Sequence, residues 1–187
     1  DCVNVVYDST GQSTSVLLNT ATIVETGESA STEVPVTCRT ILATVGNRVF
    51  VDINPDGSTP QEQANGNGLQ DENAGEAGVA GIIDQIYSAI GDTLVATTTT
   101  DANGLYTITN LIPGDYYLVF INPFDSGIWA EVNVGDDPTI DSDADSSLPL
   151  PPALPPGEAA RTEVFTLNPG ETNLTFDAGL IGISTFG

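Results

Sequence analysis

Histidine, lysine and methionine are absent from these 187 residues, and only three residues carry a positive charge. Without histidine there is no Ser-His-Asp triad and no zinc site of the usual histidine type, and without lysine there is no Schiff base. A two-carboxylate glycosidase is the device the composition still permits. Nothing singles out one such pair among the 26 acidic residues, so the sequence reads as that of a non-enzyme. Arg39, Arg48 and Arg161 stand against those acids, for a formal net charge of −23. Phosphate surfaces are held by clustered cations, which excludes nucleic acid and anionic lipid as partners. The same charge opposes compaction unless bound cations or salt offset it.

Long apolar runs are also missing. No window approaches 18 uninterrupted apolar residues, so no membrane insertion is expected. A chain that lacks methionine and starts at Asp1 is expected to be a processed, secreted product whose signal segment has been removed. Cys2 and Cys38 are the only cysteines. In a secreted chain they read as one disulfide closing a loop of about 36 residues, contributing about 3–4 kcal/mol, with two buried thiols as the alternative.

What is present is a series of short apolar segments. The first forty residues alternate apolar and Ser/Thr positions, as in "STSVLLNTATIVETG" and "STEVPVTCRTILATV", the period of half-buried strands. A second set opens at "GNRVFVDI" and continues through "DTLVATTTTD", "LYTITNLI", "DYYLVFINP", "IWAEVNV", "TEVFTLNPG" and "TNLTFDAGLIGIS". Each is bounded by Gly, Pro, Asn or Asp, which predicts an all-β sandwich. "IIDQIYSAI" fits a short helix by period alone, but its β-branched content and flanking glycines favour a strand. "PLPPALPPG" reads as extended polyproline II, a stiff spacer or loop. The aromatics Tyr106, Tyr116, Tyr117, Phe120, Phe124 and Trp129, at strand spacing, read as core rather than as a sugar-stacking platform.

Two stretches concentrate oxygen. "GDDPTIDSDAD" places Asp136, Asp137, Asp141, Asp143 and Asp145 within ten residues, where carboxylates repel unless a cation or solvent separates them. Asp141, Asp143 and Asp145 alternate, so an extended segment lines them along one face. "NGNGLQDENAGEAG" mixes Asn, Asp and Glu with glycines that permit sharp turns, which suits six to eight hard oxygen ligands around calcium. Asx turns without metal are the alternative for this glycine-rich stretch, and a solvated acidic loop is the alternative for the aspartate run. "TDANGLY" reads as a plain hairpin turn.

The segments "GNRVFVDINPDG", "NGLQDENAGEAGVAG", "TTTTDANGLYTITNLIPGDYYLVF", "GDDPTIDSDAD" and "FTLNPGETNLTFDAGL", in this order, resemble the SdrD B-like domains, calcium-binding repeats of bacterial surface adhesins related to Cna B-type, prealbumin-like sandwiches. The resemblance implies an Ig-like or prealbumin-like antiparallel β-sandwich over about residues 46–180, preceded by a strand-rich extension at 1–45 and followed by a tail at 181–187. It implies calcium on Asp52, Asn54, Asn67, Asp71 and Glu76. An inserted "PDGSTPQEQA" and two extra residues before Glu76 leave Asp56 and Glu72 as substitutes, and Asp177 of "DAGL" as a residue that orients the loops. Many Cna B-type domains carry a Lys–Asn or Lys–Asp isopeptide cross-link, which a chain without lysine cannot form.

The expected function is that of a secreted, calcium-stabilised structural sandwich that self-associates into an extracellular filament, a strand of one subunit completing the sheet of the next. The alternative is a cell-surface adhesin or spacer module that presents a surface to a host or matrix ligand.

Overall fold

The computed structural model describes residues 41–57, 59, 65–71, 75–124, 126–152, 154 and 158–182 with their side chains, and the backbone of 12–22 and 29–39. The expected Cys2–Cys38 disulfide, the alternative ligand Glu72 and the tail beyond residue 182 lie outside these residues. Every regular element described is a strand. β1 (Gln12–Thr22) and β2 (Ser29–Arg39) form an antiparallel hairpin, from Gln12 opposite Arg39 to Thr22 opposite Ser29. Among the described residues it joins neither of the two larger sheets.

In the first of these sheets β4 (Ile83–Ser88) lies between β5 (Thr93–Thr99) and β7 (Gly114–Ile121); β9 (Ala159–Arg161) and β10 (Phe165–Leu167) share the far edge of β7. In the second, β3 (Ala43–Val51) is flanked on one side by β6 (Leu105–Leu111) and on the other by β11 (Thr172–Asn173) and β12 (Ala178–Ile181), with β8 (Ile128–Trp129) beyond β12. The two sheets make the expected all-β sandwich. Its strand pairings are antiparallel except those of β3 with β11 and β12, which are parallel. "IIDQIYSAI" is strand, as its composition favours. "IWAEVNV" is strand only at Ile128–Trp129.

Strand alternation explains the core. In β7, Tyr116, Leu118 and Phe120 point between the sheets with Ile82, Ile86, Val45, Val49, Tyr106 and Leu180. Tyr117 and Val119, one residue out of step, point to the outer face and pack with Tyr87 and Ala159. Each fully buried Leu or Phe contributes about 1.5–3 kcal/mol. From the proline-rich segment, Leu150 and Leu154 pack on that outer face. Tyr87 stacks on Tyr117 at 5.4 Å, the Arg161 guanidinium lies 3.9 Å over the Tyr117 ring, and Arg161 Nη1 donates to Pro149 O at 3.1 Å. The spacer is thus a strap with a specific footing. The aromatics are mainly core, as expected, although Phe124 is 43% exposed.

"TDANGLY" is a turn. Asp101 Oδ1 accepts the N–H groups of Asn103 and Leu105, and Gly104 sits at φ 76° where a Cβ would lie 2.1 Å from Val49 O.

Candidate metal centre

β3 delivers the first acid. Asp52 follows its last residue and is 1% exposed, and its N–H donates to Leu180 O at 2.9 Å, which ties it to β12. Its carboxylate accepts two backbone N–H groups, from Asn67 to Oδ1 at 2.9 Å and from Gly68 to Oδ2 at 2.8 Å. The loop passes so close that a Cβ on Gly66, at φ 67°, would meet Asp52 Oδ2 at 2.5 Å. Glu76 bridges in the same way, accepting from Ile53 N at 2.9 Å and Asp71 N at 2.6 Å. Asn67 Nδ2 donates to Asp71 Oδ2 at 2.8 Å, and Arg48 Nη2 donates to Glu76 O at 2.9 Å.

The structure therefore gathers Asp52, Asn67, Asp71 and Glu76. Asn54 stands apart, its Oδ1 accepting the N–H of Asp56 in a local turn. Burial raises the pKa of Asp52, and the neighbouring Asp71 charge adds to this, against the opposing pull of the two N–H donors. Glu76 is raised for the same reason, with Asp52 and Asp71 as the like charges.

The second stretch threads between this loop and the strand that returns along β3. Gln70 N donates to Ile140 O at 2.6 Å, Ser142 N to Gly68 O at 2.9 Å, and Asp143 N to Asp177 O at 2.8 Å. Ser142 is fully buried and its Oγ accepts Gly179 N at 3.1 Å. Asp177 N donates to Asp143 Oδ2 at 2.9 Å, and Asn47 Nδ2 donates to Asp177 Oδ2 at 2.8 Å. Asp141, Asp143 and Asp177 thus form a second cluster. Asp136 and Asp137 are exposed; Asp137 Oδ1 accepts Thr139 N and Oγ1 in a surface turn, which lowers its pKa. Asp145 caps Ser147 N at 2.7 Å and pairs through its backbone with Arg161. Asp145, although it caps its own turn, lines one small cavity together with Asp143.

Burial, then the charge of Asp143, pushes Asp177 up to about 8. Burial, opposed by the Asp177 N–H, brings Asp143 to about 7. Asp141 is raised by burial, then by Asp137. Five buried side-chain atoms in the described residues have no hydrogen-bond partner: Gln70 Oε1, Asp141 Oδ1, Asp177 Oδ1 and both oxygens of Asp84. All are acceptors, which a hydrogen-bond donor, a proton or a cation would satisfy. Three of them, Gln70, Asp141 and Asp177, belong to the two loops and the return strand, and a set of hard oxygens fits calcium. Among the described residues no group of three or more acidic side chains is placed to hold a metal ion.

Asp177 entered the sequence reading only as an orienting residue, and Asn47, Ser142 and Asp84 did not enter it. Asp84 had a signal: it sits between Ile82 and Ile86 at an inward position of a strand. Burial alone pushes it to about 8, and it in turn raises the fully buried Tyr106, whose first cause is burial itself.

These features define an acidic β-sandwich with two loop-borne groups of carboxylates. The chain belongs to the SdrD B-like domain family, whose model matches residues 59–180. The family consists of non-catalytic structural domains of secreted, cell-surface proteins and is generally calcium-binding. Colossin-B of Dictyostelium discoideum is 31% identical over 146 residues, which cover 78% of this chain and 3% of that protein. Serine-aspartate repeat-containing protein F of Staphylococcus epidermidis is 44% identical over 62 residues, covering 33% of this chain and 3% of that one. The chain thus spans about 3% of the length of these relatives. Among solved structures, GBS52, the minor pilin of Streptococcus agalactiae, aligns with 96% of this chain and 64% of its own at a TM-score of 0.41 and 13% identity.

Proposed function

We propose that the chain is a calcium-stabilised structural sandwich that self-associates into an extracellular filament, a strand of one copy completing a sheet of the next. The observation that carries the assembly is the β1–β2 hairpin, which among the described residues bonds to neither sheet of the sandwich. An isolated two-stranded hairpin is marginal in water and gains stability from a third strand. Electron microscopy of the native protein tests this: filaments are the expected result, and monodisperse globules would reject it.

The calcium reading rests on the orphaned acceptors of Gln70, Asp141 and Asp177 beside the carboxylates of Asp52, Asp71, Glu76 and Asp143. Bound there, calcium would supply positive charge to oxygens that have no donor and would tie the 65–71 loop to the 141–143 segment. The role is rigidity. Thermal melting with and without chelator measures it, because a ligand that binds only the folded state raises stability by mass action. An unchanged midpoint rejects it.

A spacer or adhesin module is the second reading. It is favoured by the span of the match, since the chain covers about 3% of relatives as long as Colossin-B. Single globules in the micrographs, with calcium-dependent melting retained, would select it.

A further inference from the structure

We infer that the contact between copies is made by β1 of one chain adding to the free edge of β5 of another, both of them uncharged strands. This rests on the reading that the protein self-associates, and it names the two surfaces.

The donor follows from the hairpin. β1, "QSTSVLLNTAT", has no charged residue and no proline over its 11 positions. β2, "SASTEVPVTCR", carries Glu33, Pro35 and Arg39, and charge and proline are what protect an edge from further pairing. Both strands are about twice the usual strand length, and among the described residues β1 pairs only with β2, so it offers a long row of backbone donors and acceptors on its other side.

The acceptor follows from the sandwich. β5, "TLVATTT", is also free of charge and proline, and among the described strands it bonds only to β4. Leu94 and Val95 on it are 46% and 47% exposed, and Ile90 just before it is 81% exposed. Val95 is skipped in the pairing with β4, where Ile86 lies opposite Ala96 and Tyr87 opposite Leu94, which leaves Ala96–Thr99 as the regular part of the edge. These residues are β-branched or small and suit a central strand.

Charge selects a second copy as the occupant. A cationic partner would be drawn to the acidic surface rather than to a neutral strip. Two chains of formal charge −23 repel wherever acids face each other. They approach at least cost where neither strand bears a charge.

Hydrogen exchange on the full-length protein, assembled and dispersed, reads both strands directly. Assembly should slow exchange of backbone amides in β1 and in Ala96–Thr99 of β5 by about a hundredfold or more, as expected for amides taken into a sheet. Two full-length variants test complementarity. Leu17→Pro blocks the donor; Val95→Pro with Thr97→Lys blocks the acceptor, and proline is tolerated at the bulge. Each alone should form no filaments, while an equimolar mixture should form dimers by sedimentation, since each supplies what the other lacks. Wild-type filaments that protect β6, β8 or β10 instead of β5, or that persist in both variants, overturn this inference and leave the filament reading standing. A wild-type protein that never assembles overturns that reading and this inference together.

Discussion

Two groups of acids lie against β3, and their environments are opposite. Asp52 and Glu76 are met by backbone: each carboxylate oxygen accepts an N–H, so the loop 65–71 is folded around existing negative charge. Asp141 and Asp177 each keep a buried oxygen with no donor, and Asp84, deeper between the sheets, has two. The first group is satisfied by the fold itself. The second keeps oxygens that no donor of the described residues meets, so the same residue type anchors a loop in one place and stands desolvated in another.

Proton binding gives the largest expected effect. In the unfolded chain Asp84 ionises near its ordinary value of 3.8, whereas in the fold it keeps its proton up to about 8. The folded state therefore binds the extra proton. Its stability is greatest below a pH of about 4 and falls as pH rises to about 8, by on the order of 5 kcal/mol for this group. Asp143 and Asp177 act in the same direction, with folded values of about 7 and 8. Urea unfolding in chelator across this range should show stability declining towards alkaline pH, and Asp84→Asn should remove the Asp84 share of the slope. An identical slope in the variant would refute a buried neutral acid there.

Asp52→Ala tests the satisfied group. It leaves the buried Gly68 N–H and the Asn67 N–H without their acceptor, at a cost of about 3–4 kcal/mol for two charge-assisted hydrogen bonds. The expected readout is a lower urea midpoint with or without calcium. If the loss appears only in calcium, Asp52 acts as a ligand rather than as the post around which the loop folds.

Calcium should act in the converse way. At a concentration about a hundred times its dissociation constant, binding raises stability by about 2.7 kcal/mol. Asp177→Asn should abolish most of that gain while leaving the metal-free protein as stable at neutral pH or more so, because the amide removes a buried carboxyl that burial disfavours. Loss of metal-free stability without loss of the calcium response would reverse the comparison between the clusters.

Part of this was legible in the chain. The alternation in "DYYLVF" and the β-branched "IIDQIY" marked two strands with buried faces, and the glycines of "NGNGLQ" marked a loop that closes on a side chain. Sequence spacing could not show that Asp177 closes the second cluster, because the parallel return of β12 along β3 brings it beside Asp143 from 34 positions away. Nor could spacing separate Asp141 from Asp137 or Asp145. Their grouping is decided by backbone partners, Leu69 for one, Thr139 and Ser147 for the others. The footing of the proline-rich loop was not legible because its two leucines are separated by prolines, and the sheet face they pack on is formed by strands remote in sequence.

The smallest expected effect follows from the same distinction. Asp137→Asn and Asp145→Asn alter two members of the run that sequence alone places with Asp141 and Asp143. Each changes a carboxylate that caps its own turn, and an amide oxygen can accept the same N–H, so the hydrogen bonds from Thr139 and Ser147 survive. Melting midpoints in chelator should stay within error of the parent. The calcium-induced rise should also be retained, because neither side chain shares a hydrogen bond with Asp141 or Asp177. A calcium response that disappears in either variant would mean that the ion draws the surface turn inward and that the acids act as the single run in which they are written.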